Sequence, residues 1–311
     1  MTMADRPLIV HIRRHSCDDG PGIRSVAFFK GCPLRCVFCQ NPETRDPGPE
    51  IAFSPEDCIG CGACADACPN GAIDLADPAR IDRKICRRCG DCADVCPGNG
   101  LRRIGVYFGP EKLCAQLLRD RAFYRHSGGG VTLSGGECTF FPDYLHRLLE
   151  QLKAHRVHVA IQTCGHFDYE DFAARILPRV DLIYYDVKIA DPEAHRRYTG
   201  VGNERILDNL ARLLHQRRVR VRPRIPLVPG ITATRENLSA VVDFLCRAGA
   251  DSVSLLPYNP LGMPMFARLG KDVPSLPQRF MNEAEETAVL ADFTAILREK
   301  NAAAAQFAER S

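Results

Sequence analysis

Short apolar runs alternate along this chain with stretches in which apolar residues recur at helical spacing. The runs at 26–29, 131–133, 157–163, 181–188, 219–227 and 252–257 predict strands. Residues 143–155 read as a helix, with Tyr144, Leu145, Leu148, Leu149 and Leu152 on one face. Helices are also predicted over 168–177, most of 191–216, 234–248 and about 283–299. Six strand–helix units in succession predict an α/β fold: a parallel sheet with helices outside it, curled into a partial (β/α)6 barrel. Barrels of this kind place their chemistry at the C-terminal ends of the strands.

One interval interrupts the alternation. After Asn41 the chain turns rich in Pro and Glu, and residues 50–105 are dense in cysteine. The expected organisation is a barrel made from 1–49 and 106–311, with 50–105 inserted as a second unit. A length of 311 residues agrees with about two domains.

Composition narrows the class. Apolar residues make up 45% and charged residues 25%, ordinary for a globular protein with a good core. A net charge of +3 is too small to argue for nucleic acid or an anionic membrane as partner. No apolar stretch is long enough to span a bilayer, and residues 1–10 lack the pattern of a signal peptide. The expectation is therefore a cytoplasmic protein without membrane contact. Its 16 cysteines then call for something other than disulfides, which are rare in a reducing compartment.

Eleven of those 16 cysteines fall in three runs of metal-ligand spacing. Cys17, Cys114, Cys138, Cys164 and Cys246 are scattered and read as small apolar fillers, with Cys138 kept open because it follows a glycine-rich turn. The first run, Cys32-x₃-Cys36-x₂-Cys39, directly follows the first predicted strand. Three thiolates fill three corners of a [4Fe–4S] cube and leave one iron open, so the spacing points to chemistry at the metal. A structural zinc site is the bland alternative. The other two runs are a repeat of period 28: Cys58, Cys61, Cys64, Cys68-Pro69, then Cys86, Cys89, Cys92, Cys96-Pro97. Each is the bacterial ferredoxin run, whose fourth cysteine ligates the other cluster. That rule assigns Cys58, Cys61, Cys64 and Cys96 to one cube and Cys86, Cys89, Cys92 and Cys68 to another, with two zinc sites as the alternative.

The first run and its neighbours resemble the radical S-adenosylmethionine (SAM) signature: an aromatic, Phe38, precedes the last cysteine, and Gln40-Asn41-Pro42-Glu43-Thr44 follows. With Asp19-Gly20-Pro21-Gly22-Ile23-Arg24 upstream, the chain is similar to the activating enzymes of glycyl radical enzymes, relatives of the pyruvate formate-lyase activase, in the branch that carries a two-cluster ferredoxin insert. The resemblance covers nearly the whole chain. It implies a radical SAM barrel, three [4Fe–4S] clusters and SAM bound at the open iron. It also implies one-electron cleavage of SAM and abstraction of a hydrogen from a backbone glycine of a partner enzyme, under anaerobic conditions. A flavodoxin or ferredoxin would supply the electron.

Residue by residue, the resemblance makes Cys32, Cys36, Cys39 and Lys188 catalytic. SAM would be held by Phe38, Gln40, Asn41, Gly135-Gly136-Glu137, Asp186-Val187-Lys188, Arg222 and Asn259. Glu137 would take the SAM amino group, and Asp186 and Lys188, one strand face by alternation, the methionine and ribose end. Arg222 is the arginine matched to the family's position ahead of Val228-Pro229-Gly230. Asp19, Gly20, Gly22 and Arg24 would meet the partner's glycine loop. The sequence departs from relatives at Cys138, where many have Pro, at Asn259, where the activase has a histidine, and at Gln162, where relatives have an acid beside a monovalent cation. Two other readings are an electron-transfer protein built on the ferredoxin block and a radical SAM enzyme acting on a small molecule. The partner's own chemistry is not legible; dehydratases, decarboxylases and C–S or C–N lyases all occur in the wider family.

Overall fold

The computed structural model describes residues 6–300 and the backbone of a short strand at 308–310. Residues 1–5, half of the stretch that lacks a signal-peptide pattern, lie outside the described residues.

Strands β1 (Leu8–Ser16) and β2 (Arg24–Lys30) form an antiparallel pair, and β2 runs into the first cysteine loop. Strands β3 (Glu50–Phe53) and β4 (Leu101–Ile104) enclose the cysteine-dense block, with the one-turn helices α1 (Ala63–Asp66) and α2 (Asp91–Asp94) between them. Strand β5 (Val106–Tyr107) then pairs with β1. Helices α3 (Pro110–Leu117) and α4 (Arg121–Ser127) lead to β6 (Gly130–Gly135), and α5 (Pro142–Ala154) to β7 (His158–Thr163). A broken helical segment follows, from α6 (Tyr169–Asp171) through a π-type turn (Phe172–Ile176) to a tight turn (Leu177–Arg179). After β8 (Leu182–Asp186) come α7 (Pro192–Thr199), α8 (Glu204–Gln216), β9 (Arg220–Pro226), α9 (Arg235–Arg247) and β10 (Val253–Leu256). Helices α10 (Met263–Arg268) and α11 (Glu283–Lys300) and β11 (Ala308–Arg310) complete the chain.

The main sheet has the order β11-β10-β9-β8-β7-β6-β2-β1-β5. From β2 to β10 its six strands are parallel, as the alternation predicts. Strand β1 was not expected. Its sequence, Leu-Ile-Val-His-Ile-Arg-Arg-His-Ser, reads as mostly polar because one face meets water and carries Arg13 and His15.

Sheet residues divide by parity. Val131, Leu133, Val159, Ile161, Ile183 and Ile225 bury themselves among the outer helices. Helix α5 meets them with the predicted apolar face: Tyr144, Leu145, Leu148, Leu149 and Leu152 are all buried. The opposite face carries Thr132, Ser134, Gln162, Asp186 and Arg224, so the concave side of the sheet is polar. Polar groups there must be paired or used.

The block between β3 and β4 has its own small core of Ile51, Phe53, Ile81, Cys92 and Leu101. A buried charge cluster joins it to the sheet. Lys30, fully buried at the end of β2, donates to Glu50 at 2.5 Å and to the Glu43 carbonyl at 2.7 Å. Lys271 reaches Glu50 at 2.8 Å and Asp46 at 2.7 Å. Burial lowers the Lys30 pKa, and Glu50 opposes that by holding the ammonium charged. Among the described residues, no helix is long and apolar enough to cross a membrane.

Candidate active site

A cavity of about 360 Å³ opens at the C-terminal ends of the parallel strands. The loop after β2 brings Cys32, Cys36 and Cys39 to its wall, with Phe38, Gln40 and Asn41 beside them. Leu34, Phe38, Val228 and Tyr258 pack around the thiols and keep water from that side. Burial pushes the Cys36 thiol up to about 12 and the Cys39 thiol to about 11, so a metal must supply the charge that turns them into thiolates. Cys164, set aside as filler in the sequence, stands in this wall against Cys32 and shares a hydrogen bond with it.

The glycines after β6 serve the approach of the chain to itself. A Cβ on Gly135 would strike the backbone of Phe29, and one on Gly136 would strike the carbonyls of Gly31 and Thr44. Their absence lets the turn sit flush on the cysteine loop while both glycines line the cavity.

Glu137 is not brought to the cavity, where the resemblance would set it against the SAM amino group. It is fully buried and does not line the cavity. Its carboxylate accepts from the Thr139 amide at 3.1 Å and hydroxyl at 2.8 Å, from the Thr163 hydroxyl at 3.0 Å and from the Cys164 amide at 2.6 Å. A carboxylate with this many donors is a clasp tying the end of β6 to the end of β7. Cys138 beside it is fully buried and also lies off the cavity wall.

From β8, Asp186 and Lys188 face the cavity with their side chains 3.3 Å apart. Val187 between them points the other way, into the core at 1% exposure, so its side chain is not a SAM contact. The arginine at the site is Arg224, which gives two hydrogen bonds to Asp186 at 2.7 and 2.9 Å. Arg222 lies off the cavity wall: it shares the face of Arg224 but stands one side-chain repeat deeper, opposite Tyr184 rather than Asp186. Burial opposes charge on Asp186, but Arg224 and Lys188 outweigh it and lower its pKa. Burial likewise opposes the Lys188 ammonium, and Asp186 with the nearby thiols raises its pKa nonetheless. Two cations on one carboxylate leave this wall positive. From β10, Asn259 lines the cavity and accepts from the Leu261 amide at 2.9 Å.

At the rim, Asp18 and Asp19 line the opening. Asp19 accepts from Ser16 at 2.6 Å and from the Gln162 amide at 2.9 Å, and Gln162 in turn accepts from Ser134 at 2.6 Å. The neutral Gln162 is thus a donor to Asp19, a task an acid there would not perform. The rest of the upstream word is spent inside the protein. Arg24 is fully buried and bonds Thr132 at 2.7 Å and the carbonyls of Pro21 and Val131 at 3.0 and 2.5 Å, so it does not reach a partner's peptide. A Cβ on Gly22 would strike the Gly129 amide and the Ser127 carbonyl, and one on Gly20 would press on Arg24. These glycines make room for their own chain.

Two smaller cavities lie in the block between β3 and β4. Cys58, Cys61, Cys64 and Cys96 line one, of about 120 Å³. Cys68, Cys86, Cys89 and Cys92 line the other. The crossed grouping expected from the repeat is therefore the grouping in space. The two crossing cysteines each accept a backbone amide, Ala72 to Cys68 at 3.2 Å and Leu101 to Cys96 at 3.4 Å. Four sulfurs around a void, with amides aimed at sulfur, fit an iron–sulfur cube. Among the described residues, no three His, Cys, Asp or Glu side chains converge as they would on one metal ion.

The Radical SAM superfamily model matches residues 94–245, and the 4Fe-4S binding domain model matches 51–74. A radical SAM methyltransferase from Sphaerobacter thermophilus shares the fold, with a TM-score of 0.53 at 14% identity over 98% of this chain and 76% of that one. Fold and thiol loop together define a radical SAM enzyme with further iron–sulfur binding. The trans-4-hydroxy-L-proline dehydratase activating enzyme of Clostridioides difficile is 38% identical over 85% of this chain and 88% of its own. The benzylsuccinate synthase activating enzyme of Thauera aromatica is 39% identical over 85% of this chain and 82% of its own. The chain belongs to the activating enzymes of glycyl radical enzymes.

Proposed function

We propose that Cys32, Cys36 and Cys39 hold the cluster that binds SAM, and that the cavity carries a radical to a backbone glycine of a partner glycyl radical enzyme. One observation carries this reading: the three thiols share a single cavity with the Gly135-Gly136 turn and the Asp186–Lys188–Arg224 group. When bound, the cluster supplies the electron that splits the SAM C–S bond, leaving methionine and a 5′-deoxyadenosyl radical that takes the glycyl hydrogen.

The protein's own part is binding and orientation. Lys188 and Arg224 form a positive wall suited to the SAM carboxylate, and Asp186 holds both cations in place. Asn259 and Asn41 offer hydrogen bonds that carry no charge. The apolar packing around Phe38 and Tyr258 keeps water from the reactive carbon. We assign two more clusters to the crossed cysteine sets, residues 50–105 being the inserted unit, and give them the task of passing electrons to the site. Three cubes predict about 12 iron and 12 sulfide per chain after anaerobic reconstitution. A full complement of four iron in total would remove the ferredoxin-like assignment. A reducing cytosol, where cysteines are not drawn into disulfides, is the compartment that suits a chain with 16 of them.

Asp19 belongs to the rim and clamps the partner's inserted loop by accepting from a peptide N–H. Replacing it with alanine is expected to leave uncoupled SAM cleavage largely intact. The glycyl radical yield should fall by roughly ten- to a hundredfold, the equivalent of one charged hydrogen bond of ~1.5–3 kcal/mol. Electron paramagnetic resonance of the partner, beside an assay of 5′-deoxyadenosine, reads both quantities. Signals that fall together, or that both hold, would show that Asp19 serves only the turn it sits in.

A further inference from the structure

The two halves of the cysteine repeat fold alike but carry opposite charge. Gly62 and Gly90, 28 positions apart, both take the left-handed conformation before a one-turn helix, at φ +81° and +95°. Around the first half the chain reads Pro55-Glu56-Asp57-Cys58-Ile59-Gly60-Cys61. The equivalent positions of the second read Arg83-Lys84-Ile85-Cys86-Arg87-Arg88-Cys89. Since equivalent backbones hold equivalent thiols, the charge difference is not needed to build either site.

Lys84, Arg87, Arg88 and Cys89 are all exposed, and Ile85 is 48% exposed among them. Among the described residues, none of the three cations is in an ion pair, whereas Glu56 and Asp57 beside the first set meet Arg268 and Arg102. The acids nearest the patch along the chain are Asp82, which accepts from the Lys84 amide, and Asp91. Behind the patch, the cavity of Cys68, Cys86, Cys89 and Cys92 is also lined by Ile51. Ile51 adjoins Glu50, which is bonded to Lys30, two residues before Cys32. A continuous track of covalent and hydrogen bonds thus runs from this cavity to the active-site thiols.

We infer that Lys84, Arg87 and Arg88, around Ile85 and Cys89, are the docking face for a small acidic one-electron carrier protein, and that electrons enter through the Cys68/Cys86/Cys89/Cys92 set. The inference rests on the relay reading above. One electron leaves the reduced carrier and arrives at that set; no bond is made or broken at the interface. Electron-transfer encounters are small and weak, and complementary charge governs their capture. A basic rim around an apolar centre and an exposed thiol fits such a partner.

The test uses the iron-loaded enzyme and a flavodoxin as the acidic carrier. Binding of oxidised flavodoxin, in which no electron moves, is titrated at low and high salt. The triple variant Lys84→Glu/Arg87→Glu/Arg88→Glu is expected to weaken binding by about tenfold or more at low salt and to erase its salt dependence. Production of 5′-deoxyadenosine with reduced flavodoxin should fall by a similar factor, while production driven by titanium(III) citrate holds. Lys84→Gln/Arg88→Gln, which removes charge without reversing it, should show the same pattern more weakly and serves if the triple variant loses iron. Asp66→Lys/Asp74→Lys, on the other half, should leave flavodoxin affinity unweakened. Unchanged flavodoxin affinity in the basic-patch variants would overturn the inference. So would an equal loss with titanium citrate, or a loss confined to glycyl radical yield, which would make this a face for the glycyl radical enzyme. Absence of 5′-deoxyadenosine from the unmodified enzyme with titanium citrate would instead sink the radical SAM reading itself.

Discussion

Cys36→Ala is expected to reduce SAM cleavage to background with any electron source, whereas Cys61→Ala should keep a substantial part of it when a small chemical reductant is supplied. Cys36 is buried in the active-site wall and is one of only three loop thiols there, so its loss removes a corner that nothing nearby replaces. Cys164 is close, but its thiol is engaged in a hydrogen bond with Cys32. Cys61 is exposed and lines a separate cavity. Titanium citrate can reach the site without a relay, so cleavage by the Cys61 variant should persist with it. Measuring 5′-deoxyadenosine with both reductants decides the matter. If the Cys61 variant retains its remaining iron yet is as inactive as the Cys36 variant with titanium citrate, the relay role is wrong.

Glu137→Ala should unfold far more readily than the parent, by about 3–5 kcal/mol, because several buried donors lose their acceptor at once and each unpaired group costs roughly 1–3 kcal/mol. The substitution strands the Cys164 and Thr139 amides and two threonine hydroxyls at once. Glu137→Gln keeps one acceptor oxygen and should cost less, roughly 1–3 kcal/mol. Anaerobic urea unfolding of the iron-loaded protein, beside SAM binding, checks this. Unchanged stability with a selective loss of SAM affinity would return Glu137 to the ligand role that its sequence context implied.

That contrast shows where the sequence can be read and where it cannot. Strands and cysteine sets are periodic, and periodicity survives projection onto one dimension: the runs at 131–133 and 157–163 became β6 and β7, and the repeat of 28 became two crossed thiol sets. A motif word, by contrast, does not say which of its side chains turns toward the ligand. Glu137 and Val187 sit in such words and point away from the cavity. Parity put the arginines of β9 on one face but did not give their depth, and depth separates Arg224 from Arg222. Arg24 looks in sequence like any exposed arginine; only the fold reveals the four residues it bonds, Thr132, Pro21, Val131 and His158. Gln162 and Ser134 did leave a signal, polar residues at alternate positions in otherwise apolar strands, and that signal marks the concave face.

The pairing of β3 with β4 sets Glu50 directly opposite Ile104, so the two points where the chain leaves and re-enters the barrel are neighbours. A short turn between them would close the barrel without the cysteine-dense block. The block itself cannot be halved, because Cys68 and Cys96 each serve the cavity of the opposite repeat. The block can therefore be taken out of the chain only as a whole. A chain without it would have to receive its electron at the site loop directly.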